Sequence, residues 1–142
     1  MDDNILFSES FEIDGKEHTI TATTDDSTET IIKKALDIEY RGSIKVYQTT
    51  PPESYEDLPD TYMQTYYMDT AFEYANDQII SEEDEYRIYI ITRHEKELEK
   101  LCKRVCKTLK KRGFCIIESG ISIDSSDGDG YYGKGISVTF YR

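Results

Sequence analysis

The stretch YRIYIITRHEKELEKLCKRVCKTLKKRGF, residues 86–114, decides the fold. Its first seven residues, 86–92, form an apolar, β-branched run of strand length. From Glu95 the spacing turns helical: Leu98, Leu101, Cys102, Val105, Cys106 and Leu109 fall on one apolar stripe. Lys100, Lys103, Arg104, Lys107, Lys110, Lys111 and Arg112 occupy the opposite face. Glu95, Glu97 and Glu99 gather at the start and the bases at the end, the arrangement that suits a helix dipole, and Gly113 supplies the stop. The stretch is therefore a strand followed by a basic amphipathic helix.

Downstream, residues 114–119 read as a strand, 122–130 as a flexible polar loop and 134–141 as a closing strand that alternates Ile136, Val138 and Phe140. Upstream, residues 61–68 are dense in tyrosine and methionine and read as one strand, with a weaker strand over 71–76 forming a plausible hairpin with it. Residues 82–85 are four consecutive acids, expected as a solvated loop that keeps like charges apart, with calcium affinity as the lesser alternative. Pro51, Pro52 and Pro59 make 51–60 a surface loop and a candidate contact element. Residues 43–48 alternate as a short strand, and Gly42 ends a helix over 28–39 that follows the N-cap candidates Asp25, Asp26, Ser27 and Thr28. At the beginning, 5–13 and 16–23 flank Asp14-Gly15, a favoured two-residue hairpin turn. The expected architecture is α+β: a mainly antiparallel sheet with two helices packed on one face, plus an N-terminal β-hairpin. All 142 residues suit a single domain, with 1–24 as a hairpin extension and 28–142 as its core.

Charge is distributed unevenly along the chain. Residues 1–85 carry 22 acids and 5 bases, residues 86–142 carry 7 acids and 12 bases, and the two parts together give the net charge of -12. Two electrostatically unlike surfaces on one subunit suit assembly with further copies at least as well as binding a foreign polyanion. With 37% hydrophobic residues the chain is not depleted enough in apolar groups to be disordered. It contains no apolar run long enough to span a bilayer, and Met1-Asp2-Asp3-Asn4 lacks the start of a signal peptide, so a soluble protein made inside the cell is the expectation.

Chemistry finds little support. Cys102 and Cys106, four apart on a helix, can share a face, but no further ligands cluster with them, and with Cys115 they read as buried small apolar residues. Asp124, Asp127 and Asp129 fail the EF-hand pattern because Ser126, Gly128 and Gly135 stand where ligands belong. Gly128, Gly130, Gly133 and Gly135 lack the lysine and the following helix of a phosphate-binding loop, and they read as hairpin flexibility. His18 and His94 stand near no nucleophile motif. No cofactor, metal or catalytic residue is expected. The basic helix face is the one argument for nucleic-acid binding, and the net charge opposes it. An acidic inhibitor or DNA mimic that binds a host nucleic-acid enzyme fits the charge as an alternative.

The order of elements carries a resemblance. A helix, a short strand over 44–48, a proline-bearing loop over 51–59, the strand Thr61-Tyr62-Met63-Gln64-Thr65-Tyr66-Tyr67, a strand over 86–92, a helix ending Lys110-Lys111-Arg112-Gly113-Phe114 and a final strand over 135–142 follow one another. This succession, over residues 28–142, resembles the tail terminator or tail-completion (head-tail joining) proteins of long-tailed bacteriophages. The hairpin at 5–23 lies outside the pattern. The resemblance implies a virion structural protein without catalytic residues, made in the host cytoplasm and located in the tail or neck. It implies a ring of copies, a hexamer, at the head-proximal end of the tail, which stops tail-tube growth or joins the tail to the head. Its partners are then further copies, the tail-tube protein and a head-completion protein, with genomic DNA passing through the lumen and no membrane. On this reading Lys103, Lys107, Lys110 and Lys111 face either a neighbour's acidic surface or the lumen. Tyr62, Tyr66 and Tyr67 are candidate contact residues, with a core or sheet-face role as the alternative.

Overall fold

A computed structural model describes residues 4–48, 58–123 and 130–142. Along these the chain forms β1 (Ile5–Ile13), β2 (Lys16–Thr23), α1 (Thr28–Tyr40), β3 (Lys45–Gln48), β4 (Thr61–Ala75), β5 (Gln78–Thr92), α2 (Glu95–Lys111), β6 (Cys115–Ile123) and β7 (Tyr132–Tyr141). The β1–β2 hairpin stands by itself, and the other strands form one sheet in the order β3-β4-β5-β7-β6. Among the described strands, only β3 and β4 pair in parallel. The fold is α+β, as its sequence pattern requires. Most of the 51–60 loop, the tip of the 122–130 loop and the acids Asp124, Asp127 and Asp129 lie outside the described residues.

Local chemistry sets the element ends. Asp14 and Gly15 both take positive φ, 52° and 77°, as a type I′ turn demands, so β1 and β2 pair in the register fixed by that turn. The Ser27 hydroxyl caps α1 by accepting from the Thr30 N–H at 3.2 Å. Arg41 and Gly42 close the same helix in left-handed conformations, with the Gly42 N–H reaching back to the Asp37 carbonyl at 3.1 Å. At the end of α2, Gly113 lets the Phe114 N–H reach the Leu109 carbonyl at 3.0 Å, which turns the Phe114 ring inward against Phe140, 4.7 Å away between centroids.

One hydrophobic cluster joins all layers. Ile31, Ile32, Ala35 and Leu36 of α1 and Val105 and Leu109 of α2 are fully buried against Met63, Ile88, Ile90, Ile136 and Val138 of the sheet. Burying each of the larger aliphatic side chains contributes about 1.5–3 kcal/mol. Phe7 and Ala22 of the N-terminal hairpin belong to the same cluster. Among the described residues no helix is long and apolar enough to cross a membrane.

Away from the helices the sheet is covered by tyrosines. Tyr62 packs edge-on between Tyr47 and Tyr131, at centroid distances of 5.7 and 5.8 Å. The Tyr131 hydroxyl donates to the Pro59 carbonyl at 2.9 Å and so ties the 58–60 segment across this face. Gly135 makes room for Tyr89, since a Cβ there would lie 3.2 Å from the ring.

Four expectations need correction. Residues 82–85 are no loop: they run within β5, which pairs with β4 from Ala75↔Gln78 to Thr61↔Thr92. Neighbouring carboxylates on a strand point to opposite faces, which separates them as a loop would, and Asp84 also gains partners. The hydroxyls of Thr28 and Thr70 donate to it at 2.6 and 2.9 Å, and Arg142 stands 3.7 Å away. For the same reason the strands expected over 61–68 and 71–76 are one strand, β4, with an irregularity at Met68 instead of a break. Ser122 likewise lies in β6, paired with Lys134, and not in a loop. Finally, Cys115 is exposed, whereas Cys102 is buried as expected and Cys106 half-buried.

Candidate assembly surface

The basic face of α2 divides into two sets. Arg104 and Arg112 turn toward the acidic first half of the same molecule. Arg104 donates through Nε to Glu39 Oε1 at 2.7 Å and through Nη2 to the Glu39 carbonyl at 3.2 Å, while its guanidinium lies 4.6 Å from the Tyr40 ring centroid. The Thr108 hydroxyl donates to the other Glu39 oxygen at 3.1 Å. Arg112 donates to Glu9 Oε1 at 2.7 Å and lies over Phe7. The Arg104 hydrogen bond, helped by Thr108, holds the Glu39 carboxyl below its ordinary value against the opposing effect of burial. Part of the charge asymmetry is thus neutralised within one molecule, where it clamps α1 and the N-terminal hairpin onto α2.

The lysines form the second set. Lys96, Lys100, Lys103, Lys107 and Lys110 are all exposed and recur at alternating spacings of four and three, which places them on one stripe along the outside of α2. Lys103 stands 3.2 Å from Glu99 on its own helix, an exposed pair of the kind that contributes little. Among the described residues no carboxylate pairs with Lys107 or Lys110. Lys111, the fourth lysine singled out by sequence, sits beside the clamp, where its charge helps to lower the Glu39 pKa. Burial pushes the Cys106 thiol up, away from the thiolate that a metal needs, in keeping with an apolar role.

The tyrosines separate as well. Tyr62 is only 7% exposed and serves the sheet face, so it drops out as a contact residue. Tyr66 is partly exposed and packs edge-on against Tyr89 at 5.1 Å. Tyr67 is exposed, packs against Tyr86 at 5.5 Å, and has its hydroxyl 2.7 Å from that of Thr70. Tyr66 and Tyr67 mark the root of a feature that sequence reasoning missed.

That feature is an arm. β7 stops pairing with β5 at Glu83↔Tyr141, with one further backbone exchange between Glu82 and Arg142. Among the described residues, β3 pairs with β4 as far as Gln48↔Thr65. Beyond these points, among the described residues, β4 and β5 continue as a two-stranded ribbon to the turn at Asn76 and Asp77, whose φ angles of 52° and 64° again fit a type I′ turn. At about 3.4 Å per residue the ribbon overhangs the sheet by roughly 15 Å. Every residue from 71 to 80 is exposed, and no other described element covers either face of the tip. Phe72, Tyr74, Ile79 and Ile80 are nonetheless 44%, 62%, 53% and 58% exposed. The Phe72 and Tyr74 rings lie 6.3 Å apart, and Tyr74 stands directly across from Ile79. Residues 69–85 hold seven acids and no lysine or arginine. The signal available in the sequence was Asn76-Asp77 between two apolar-bearing runs, weaker than the Asp14-Gly15 signal because neither residue is glycine.

Among the described residues no group of three or more histidine, cysteine or acidic side chains is placed to hold a metal. Compared with known proteins, the chain matches no protein-family model and no curated protein.

Proposed function

We propose that this chain is a non-enzymatic virion structural protein that forms a ring, a hexamer, at the head-proximal end of a long-tailed phage tail, ending tail-tube growth or joining the tail to the head. The observation that supports it most is the arm. Single exposed apolar residues are ordinary, whereas four together on an element that no other described residue covers mark a contact site. A projecting strand pair combined with a lysine stripe elsewhere on the subunit gives two unlike patches, the requirement for a head-to-tail contact that closes into a ring. The partners on this reading are further copies, a tail-tube protein and a head-completion protein, with DNA passing through the lumen.

Light scattering across protein and salt concentrations, followed by electron microscopy, tests the proposal. The expected result is a mass several times the 16.5 kDa of one chain and particles with an open centre. A single-chain mass under every condition, alone and with tail tubes, is the result that overturns it. One observation favours the alternative of an acidic inhibitor or DNA mimic, namely the run of seven acids without a base over 69–85. Such a protein stays monomeric or dimeric and binds a nucleic-acid enzyme in a salt-sensitive way. The aromatic and aliphatic tip of the arm argues for the ring, because a surrogate for a phosphate backbone has no use for it.

A further inference from the structure

We infer that the occupant of the arm is a second copy of this chain, and that the arm of one copy lies along the lysine stripe of α2 in the next. This rests on the ring reading and specifies its contact. Three observations converge on it.

The first is charge complementarity. The arm carries acids without a single base, and the stripe carries lysines of which Lys107 and Lys110 have no carboxylate partner among the described residues. Arm against arm is excluded by the same count, since like charges would face each other along the paired ribbons.

The second is chemical match at the tip. Lysine presents four methylenes beneath its ammonium, so a lysine stripe offers an apolar bed with a cationic rim. Phe72 and Tyr74 fit that bed, with the ammonium groups available over the rings; Glu82, directly across from Phe72 and on its face, meets the rim, while Glu73 on the opposite face and Asp77 at the turn add to the negative charge of the arm.

The third is direction, which forbids the contact within one molecule. α2 leaves the end of β5 at Thr92 and runs back to the level of Glu85, because Cys115, just after it, pairs with Thr139, which pairs with Glu85. The arm starts near that level and continues onward, away from the helix. Stripe and arm therefore extend in opposite directions from a common line, and a paired ribbon cannot fold back over its own helix. The stripe from Lys96 to Lys110 is about 21 Å long at 1.5 Å per residue, enough to receive the overhang of a neighbour. Repetition of such a contact is heterologous and closes into a ring when the rotation per subunit permits.

The test is a charge exchange. One variant carries Glu73→Lys, Asp77→Lys and Glu82→Lys on the arm, the other Lys103→Glu, Lys107→Glu and Lys110→Glu on the stripe. Glu82 is half-buried and the other five positions are exposed, so thermal unfolding of each variant is measured first, and Phe72→Ser with Tyr74→Ser serves as an uncharged second arm variant. Each charge variant alone is expected to lose self-association by about tenfold or more, and an equimolar mixture to recover it. The Phe72→Ser, Tyr74→Ser variant is expected to lose association without recovery by either partner. Zero-length cross-linking of mixed isotopically light and heavy chains should join Lys107 or Lys110 to arm carboxylates between copies. If the charge variants keep the wild-type mass, or lose it without recovery on mixing, the arm-to-stripe contact is overturned while the ring stands. If the wild-type chain itself never exceeds one copy, the ring reading fails, and this inference with it.

Discussion

The two halves of the β4–β5 hairpin have the same secondary structure and opposite environments. At its base, Met63, Ile88 and Ile90 are fully buried beneath the helices, while Tyr62 and Gln64 are buried on the other face, Tyr62 between the rings of Tyr47 and Tyr131. At its tip, from 71 to 80, both faces meet solvent, although the apolar content is comparable. Backbone pairing runs through both parts, with irregularities at Met68 and Ile80. The ladder alone therefore does not distinguish a covered strand from an exposed one. What separates them is whether another layer of the same chain arrives to cover the side chains.

The strongest way to break this comparison is to truncate an aliphatic residue in each half. Ile88→Ala should lower unfolding free energy by about 2–5 kcal/mol, the cost of a cavity in a close-packed core. Ile80→Ala should change the stability of the single chain by no more than about 0.5 kcal/mol. Urea unfolding of both under dilute conditions reads the difference, and equal losses would mean that the arm packs on its own subunit.

A smaller effect sharpens the description of the base. Gly135→Ala places a methyl group where only 3.2 Å separates it from the Tyr89 ring. It should cost about 1–3 kcal/mol through overpacking. Tyr89→Leu in the same background should recover part of the loss, and thermal unfolding of the pair decides whether the ring is the obstacle.

The clamp supplies the pH dependence. Glu39 has a lowered pKa in the folded state, so its contribution is present above the ordinary carboxylate range near about 4.3 and is lost as pH falls through its depressed folded value. Asp26 is lowered in the same direction by the Thr23 N–H and Lys34. Acidification should therefore loosen α1 and the N-terminal hairpin against α2, and hydrogen exchange should rise there before it changes at the base of the sheet. Arg104→Ala should flatten the acid limb of stability for this seam. An unchanged acid limb would show that Glu39 is not held by Arg104.

The smallest effect belongs to the turn of the arm. Asp77→Gly removes a side chain from a position with φ of 64° and creates the Asn-Gly pair that type I′ turns favour. Amides of 71–80 should exchange more slowly, while global stability shifts by less than about 1 kcal/mol. Faster exchange in the arm would contradict the assigned turn.

Reading the chain before its structure succeeded where signals are local. Asp14-Gly15, the Ser27 cap, the α2 stripe and Gly113 each act within a few residues, so β1, β2, α1 and α2 were placed within a residue or two of their observed bounds. It failed at residues 82–85, because four adjacent acids look solvated until the pleat and the partners of Asp84 are known. It also failed to separate Arg104 and Arg112 from the lysines around them. Their partners, Glu39 and Glu9, are 65 and 103 residues away, and no spacing rule reaches that far.

The sequence by itself determined the class of fold, the polarity of α2 and the excess of acid in the first part of the chain, since period, capping and composition are written residue by residue. Only the tertiary structure decided which charges are answered within the subunit and which stay available, and which tyrosines are core. It also decided that β4 and β5 outrun the sheet. Burial depends on what the rest of the chain brings to a surface. For the tip of the arm the rest of the described chain brings nothing.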